Sequence, residues 1–107
     1  MKVVNLTPHV INIFTEDGTP VLSIEPAGQV VRVSTTRQLV AIGQNGVPFY
    51  QTTYGNVSGL PDPEADTIYI VSGIVRAAMP ERIDLWQPGE LLRNEAGQPV
   101  GCIGLQQ

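Results

Sequence analysis

The chain has few of the side chains that most catalytic and metal-binding sites require. Its 107 residues include one histidine (His9), one cysteine (Cys102) and one lysine, and five of the six basic residues are arginines. No closely spaced ligand pair such as Cys-x-x-Cys is present, although typical zinc sites use one. A lone cysteine cannot form an intramolecular disulfide, which favours a reducing compartment. This inventory predicts no metal and no cofactor, and it leaves arginine as the main group for gripping a ligand.

Charge is also scarce, and its balance is acidic. Only 15% of the residues are charged, and the formal net charge is −4. A general nucleic-acid binder needs a concentrated positive field, so this balance argues against nucleic acid and against an anionic membrane as partners. No apolar run has the length that spanning a bilayer requires, and residues 1–7 are too short an apolar stretch for a signal peptide. We therefore expect a soluble, cytoplasmic protein, and its neutral surface favours a homo-oligomer.

What the chain does contain is a series of short apolar and β-branched runs separated by turn residues. The runs lie at residues 3–6, 10–14, 21–24, 30–34, 47–54, 67–71 and 99–105, with weaker ones at 83–86 and 90–93. Asp17-Gly18 and Asn45-Gly46 are hairpin signals, and residues 36–42 are ambiguous between helix and strand. The pattern predicts one mainly β domain, residues 1–107, folded as a small antiparallel sandwich or partly open barrel. Its first third is expected to be a β-meander.

One short helix is expected at about residues 73–79, because Ser72 is a good N-cap and Pro80 ends the run. Backbone N–H groups at Gly73 and beyond form a positive pocket that suits an anion. Arg76 inside the helix and Arg82 beyond it could then converge on a phosphate or carboxylate, which arginine binds through two parallel hydrogen bonds. The alternative is that Ser72 only caps the helix and that the arginines pair with neighbouring carboxylates.

Alternate positions after the helix form a polar and aromatic row. Arg82, Asp84 and Trp86 share one face of an extended segment, so aspartate and tryptophan can read a sugar or base while arginine holds a phosphate. Alternatively, Arg82 and Asp84 form a local ion pair and Trp86 anchors a core or a subunit interface. A second stripe, Tyr50 to Tyr54, is interpreted as a packing surface because few cations are near it.

An enzymatic site has weaker support. His9 follows Pro8 in a turn, and its imidazole can serve as a general base. Alternatively, His9 only satisfies hydrogen-bonding groups of the backbone at this turn. Ser72 lacks the glycines two before and two after it that a nucleophile elbow requires. No catalytic residue is therefore assigned. A small hydrolase or lyase using His9 with Ser72, Asp84 or Cys102 remains an alternative.

Four strings in the chain resemble those of a group of small proteins encoded by tailed phages and prophages. They are Asn5-Leu6-Thr7-Pro8-His9, Tyr69-Ile70-Val71-Ser72, Arg82-Ile83-Asp84-Leu85 and Gly101-Cys102-Ile103-Gly104-Leu105, with Gly55 and Gly59-Leu60-Pro61 between them. The resemblance spans nearly the whole chain and implies a phage setting, inside an infected bacterial host. It implies no particular activity.

These observations lead to one functional hypothesis and two alternatives. The leading hypothesis is a non-enzymatic phage protein that captures a small anionic ligand, most specifically a nucleotide messenger of a host defence system. Its binding residues would be Ser72, Gly73, Arg76, Arg82, Asp84, Trp86 and His9. The first alternative is a virion structural or decoration protein whose partner is a host or virion protein, and the second is the small hydrolase or lyase.

Overall fold

The structure, a computed structural model, describes residues 1–107 and is mainly β with a single short helix. The strands are β1 (Lys2–Asn5), β2 (Ile11–Phe14), β3 (Pro20–Ile24), β4 (Arg32–Ile42), β5 (Pro48–Ser58), β6 (Thr67–Ile70), β7 (Leu85–Arg93) and β8 (Pro99–Gln106), and the helix is α1 (Gly73–Ala78). The predicted mainly β class and its one helix are confirmed, with the helix ending one residue earlier than expected. No helix has the length and apolarity that crossing a bilayer requires.

Six strands form one sheet that is nearly closed into a barrel. The strand order is β1-β6-β7-β8-β2-β3, and a bridge between Asn5 and Pro26 brings the two edges of the sheet together. The pairings of β1 with β6, β6 with β7 and β2 with β8 are parallel, whereas β7 pairs with β8 and β2 with β3 in antiparallel fashion. The sheet is therefore mixed, and its nearly closed form agrees with the partly open barrel that the sequence predicts.

The first third of the chain is not a meander. Strands β1 and β2 do not pair with each other. Instead, β2 pairs with β3 and β8, and β1 pairs with β6, which is distant along the chain. Local alternation specifies strands but not their partners, because register and neighbours depend on contacts far along the chain. The hairpin predicted at Asp17-Gly18 is present, with Gly18 at φ +85°.

The core is small and lies around β6, the start of β7 and the helix. Only 11 of the 107 residues are buried, so the burial of apolar side chains within one copy contributes little to the free energy of folding. The cluster consists of Leu6, Val31, Tyr69, Val71, Val75 and Leu85. Its location explains why the continuous apolar run 67–71 is a central strand, since both faces of that strand are covered.

Strands β4 and β5 pair only with each other and form a long hairpin, which we call the arm (residues 32–58). Val33 and Val57 pack against the core at its base. From residue 34 to residue 56 every residue except Gly43 is exposed. The tip is a single 3-10 turn, Gln44–Gly46, with Asn45 at φ 59° and Gly46 at φ +79°. Residues 36–42, ambiguous in sequence, are thus strand.

The arm makes the molecule extended and rich in exposed surface. The radius of gyration is 16.9 Å, whereas a compact chain of this length has about 13 Å. The accessible surface is 7259 Å², against about 5,800 Å² for a folded monomer of this mass. The excess of about 1,450 Å² is surface that a monomer of ordinary shape would have buried.

Candidate functional site

Ser72 and Arg76 both bond to their own helix. Ser72 is the N-cap of α1, and its Oγ accepts a hydrogen bond of 3.3 Å from the Val75 N–H. The Nη1 of Arg76 donates to the Met79 carbonyl at 3.3 Å, at the C-terminal end of the helix. Its Nε is buried and has no partner. At Gly73, the first helical residue, a Cβ would lie 2.8 Å from the side-chain oxygen of Gln87, so this flexible side chain would have to move. The Arg76 guanidinium is therefore directed toward the end of α1 opposite the Ser72 cap.

Arg82 is bound to a carboxylate of its own chain. Its Nε and Nη2 each donate to one oxygen of Asp84 at 2.8 Å, and Nη2 also donates to the Pro61 carbonyl at 3.0 Å. Both side chains are largely buried, with exposed fractions of 15% and 14%. The two hydrogen bonds from Arg82 lower the pKa of Asp84, and the same bonds raise the pKa of Arg82. This bidentate pair fastens the connection before β6 to the start of β7.

Removing this pair has a pH-dependent cost. We expect Asp84→Asn to lower the free energy of unfolding by about 2 kcal/mol at pH 7, because a charge-assisted and largely buried pair is lost. The pKa of Asp84 in the folded protein lies below its ordinary value of 3.8. The pair therefore stabilises the folded state fully above the ordinary pKa, and this stabilisation is lost as the pH falls through the folded pKa. Urea unfolding between pH 3 and 7 should therefore show wild type and Asp84→Asn converging below about pH 4. Glu81→Gln is the control, since Glu81 forms no ion pair; a gap that stays constant with pH would contradict the assignment.

Trp86 lies in β7 opposite Ile70 of β6, and its backbone carbonyl accepts from the Val71 N–H at 2.9 Å. Its side chain is partly buried. The neighbouring Tyr69 is buried, and burial, followed by the nearby carboxylates, raises its pKa. Asp84 and Trp86 are thus brought near β6 as the row predicted, but neither lines a hollow of the surface.

The string around His9 forms a buried hydrogen-bond network that does not involve the imidazole. Asn5 is 1% exposed, and its Nδ2 donates to the carbonyls of His9 (2.7 Å) and Ile24 (3.1 Å). Its Oδ1 accepts from the backbone N–H (2.9 Å) and hydroxyl (2.7 Å) of Thr7. The Ala27 N–H donates to the Asn5 carbonyl at 2.8 Å, next to the bridge that closes the barrel. The side chain of His9 is exposed and makes no hydrogen bond.

The largest hollow is an open groove across β7, β8 and β2, which we call the groove. Its volume is about 550 Å³, and it is lined by residues 9–12, Pro88, Leu91 and residues 99–102. A smaller hollow of about 300 Å³ continues it across β2 and β3 and shares Asn12 and Val100 with it. No arginine or carboxylate lines either hollow. His9 therefore lies in a mainly apolar groove, apart from the other predicted ligand residues.

The predicted ligand residues are thus divided among three places. Arg82 and Asp84 lie together, Ser72 and Arg76 lie at the two ends of α1, and His9 lies at the groove. The anion-capture hypothesis remains a prediction, but the geometry gives it little support because Arg82 is already bound to a carboxylate. No group of three or more His, Cys, Asp or Glu side chains converges as metal ligands.

Nearly half of the large hydrophobic residues that are exposed lie elsewhere, on the arm. Tyr50 and Tyr54 lie opposite Leu39 and Thr35 in the register, so these side chains share one face. The Arg37 guanidinium covers the Tyr50 ring at 3.9 Å from its centroid. We call this side of the hairpin the aromatic face. Apart from this contact with Arg37, the Tyr50-to-Tyr54 stripe is an exposed surface of the hairpin.

The other side of the arm is polar along most of its length. Gln38 lies opposite Gln51, and Thr36 lies opposite Thr53. A bulge between Leu39 and Ala41 shifts the register near the tip. The arm is therefore amphipathic, with a face suited to packing and a face suited to water.

Sequence reasoning identified the tyrosine stripe but missed that it belongs to a projecting arm. Two signals were present. Residues 26–61 contain no acidic side chain, and the arm itself carries only Arg32 and Arg37. The Asn45-Gly46 turn also sits between two strand-forming runs of similar length. The absence of a third strand to pair with them depends on tertiary structure and has no local signature.

Comparison with family models, with curated proteins and with solved structures found no match to this chain. The arm, the groove and their charges are therefore the features of the molecule that bear on its function.

Proposed function

We propose that this protein is a non-enzymatic assembly component that associates with other copies of itself through the arm. The observation that carries the proposal is the concentration of exposed apolar side chains there. Seven of the fifteen large hydrophobic residues that are exposed lie on the arm, namely Leu39, Val40, Ile42, Val47, Phe49, Tyr50 and Tyr54. Exposed apolar side chains gathered on one element are typical of a protein interface.

The stability of the arm supports the same proposal. A two-stranded hairpin with no third strand or covering layer is only marginally stable in water. Both of its strands, eleven residues each, also have an edge with unpaired backbone groups. The arm therefore requires a partner surface that the same copy does not provide.

Among the classes that the sequence leaves open, this proposal corresponds to the structural component. The resemblance of the chain to small phage proteins supports that class, since virions are built from repeated copies of small proteins. The groove supports capture of an anion less well, because no basic side chain lines it.

The arm is tested by shortening it. Thr35 and Tyr54 are paired across the hairpin, so replacing residues 36–53 by an Asn-Gly turn keeps Val33 and Val57 at the core and removes the rest. We expect native mass spectrometry and light scattering to show an oligomer for the full chain and a single chain for the shortened protein. A full chain that is monomeric at all concentrations would contradict the proposal.

Point variants on adjacent residues provide a matched comparison. Tyr50→Ser changes the aromatic face and should weaken association about tenfold or more, as for a buried tyrosine anchor. Gln51→Ser changes the polar face and should leave association nearly unchanged. Equal effects of the two would indicate that the aromatic face is not the contact surface. The same spectra also test ligand capture, since a bound molecule adds mass that is released on denaturation.

A further inference from the structure

The groove and the aromatic face of the arm are alike in polarity and opposite in shape. The groove is concave and apolar, with Val10 42%, Val100 38% and Leu91 55% exposed. The arm is a projecting ribbon of only two strands, whose backbones lie about 4.8 Å apart. The arm projects from the molecule and does not fold back onto its own groove. The apolar face of the arm can therefore be buried in a groove only if that groove belongs to another copy.

Charge separates the arm from the remainder of the chain. The arm carries two positive side chains, Arg32 and Arg37, and no negative one. The remainder carries ten acidic and four basic side chains, a net charge of −6. The groove belongs to this acidic remainder, and none of its lining residues is basic. Arg93, the basic residue nearest along β7, donates to the Gly97 carbonyl at 2.8 Å.

The same charges disfavour contact between two arms. An arm-to-arm contact would join two surfaces that each carry a net charge of +2 (Arg32 and Arg37), and like charges across an interface are unfavourable. Contact between an arm and the acidic remainder of another copy brings opposite charges together. Complementarity therefore favours a contact between unlike surfaces.

The exposed area has the size that such an arrangement needs. A standard interface buries about 800 Å² on each partner. The excess of about 1,450 Å² over a compact monomer is close to two such patches per copy. A copy that uses its arm on one side and its groove on the other presents two patches, whereas a dimer with one symmetric contact uses one.

We propose that the arm of one copy docks, by its aromatic face, in the groove of the next copy, so that assembly is head-to-tail. This inference rests on the proposed self-association and adds the identity of the acceptor surface. A contact between unlike surfaces closes into a ring when the rotation between copies allows it and otherwise continues as a filament.

The experiment uses two variants that each lack one of the two surfaces. The shortened-arm protein keeps the groove, and Leu91→Lys keeps the arm but places a positive charge in the groove opposite the cationic arm. Ile83→Lys is the matched control, because Ile83 is 82% exposed and lies outside the groove. Native mass spectrometry and light scattering are applied to each protein alone and to an equal mixture.

If the arm docks in the groove, each of the two variants is monomeric alone, and their mixture forms a dimer containing one copy of each. Ile83→Lys then assembles like wild type. A single dimer is expected because only one intact arm and one intact groove meet in that pair. If Leu91→Lys still assembles alone and the mixture forms no mixed dimer, the groove is not the acceptor and the head-to-tail proposal fails, while self-association through the arm stands. If the wild-type chain is monomeric, the proposed function itself fails. Circular dichroism of Leu91→Lys establishes that its barrel is intact.

Discussion

Replacing Asn5 with alanine is expected to lower the free energy of unfolding by about 3 kcal/mol, because several buried groups lose a partner and each such loss costs about 1–3 kcal/mol. The side chain of Asn5 binds two carbonyls and two donors, and its backbone carbonyl accepts from Ala27 where the edges of the sheet meet. Alanine keeps the backbone bond but leaves the Ile24 carbonyl and the Thr7 N–H without their side-chain partner. The barrel should therefore open first at this seam.

The measurement is urea unfolding followed by the fluorescence of the single tryptophan, Trp86, at a fixed protein concentration. The concentration is fixed because self-association stabilises the folded state by mass action. Asn56→Ala is the control, since Asn56 is exposed on the arm and its side chain makes no hydrogen bond; it should change stability by less than about 0.5 kcal/mol. An Asn5→Ala protein as stable as the Asn56→Ala control would show that the network does not hold the seam.

The strands were predictable because their signals are local. Alternating β-branched residues and turn pairs such as Asn45-Gly46 determine where a strand begins and ends. Seven of the eight strands overlap an apolar run recognised in the sequence, and β4 joins the run at 30–34 to the ambiguous residues 36–42. The two ends of α1 were equally visible, because Ser72 is a local signal for the start of a helix and Pro80 is one for its end.

Partners of strands and of side chains were not predictable in the same way. The parallel pairing of β1 with β6 joins segments from opposite halves of the chain, and no local pattern specifies it. The role of Asn5 was hidden for the same reason, because the Ile24 carbonyl that it binds lies in another strand. For the site, spacing correctly suggested that Arg82 and Asp84 are close, but whether they face a ligand or each other depends on how completely the pair is enclosed.

Gly89→Ala is expected to be the other severe substitution, with a loss of about 3 kcal/mol or more, because a Cβ there collides with rigid backbone. The Cβ would lie 2.1 Å from the Ile103 carbonyl oxygen and 2.9 Å from that of Gly104. Both oxygens belong to β8, so relief requires β7 and β8 to separate. Chemical denaturation measures the loss, and amide exchange should localise the opening to these two strands.

Gly97→Ala, in the turn that joins the same two strands, distinguishes collision from backbone preference. Gly97 has φ +79° and no atom within 4 Å of a Cβ, so its cost is the left-handed conformation alone, about 1–2 kcal/mol. If Gly89→Ala costs no more than Gly97→Ala, the close approach of β7 and β8 is not essential to the fold. If it costs more, as expected, assembly should also fall, because Pro88 and Leu91 on β7 and residues 99–102 on β8 together form the groove.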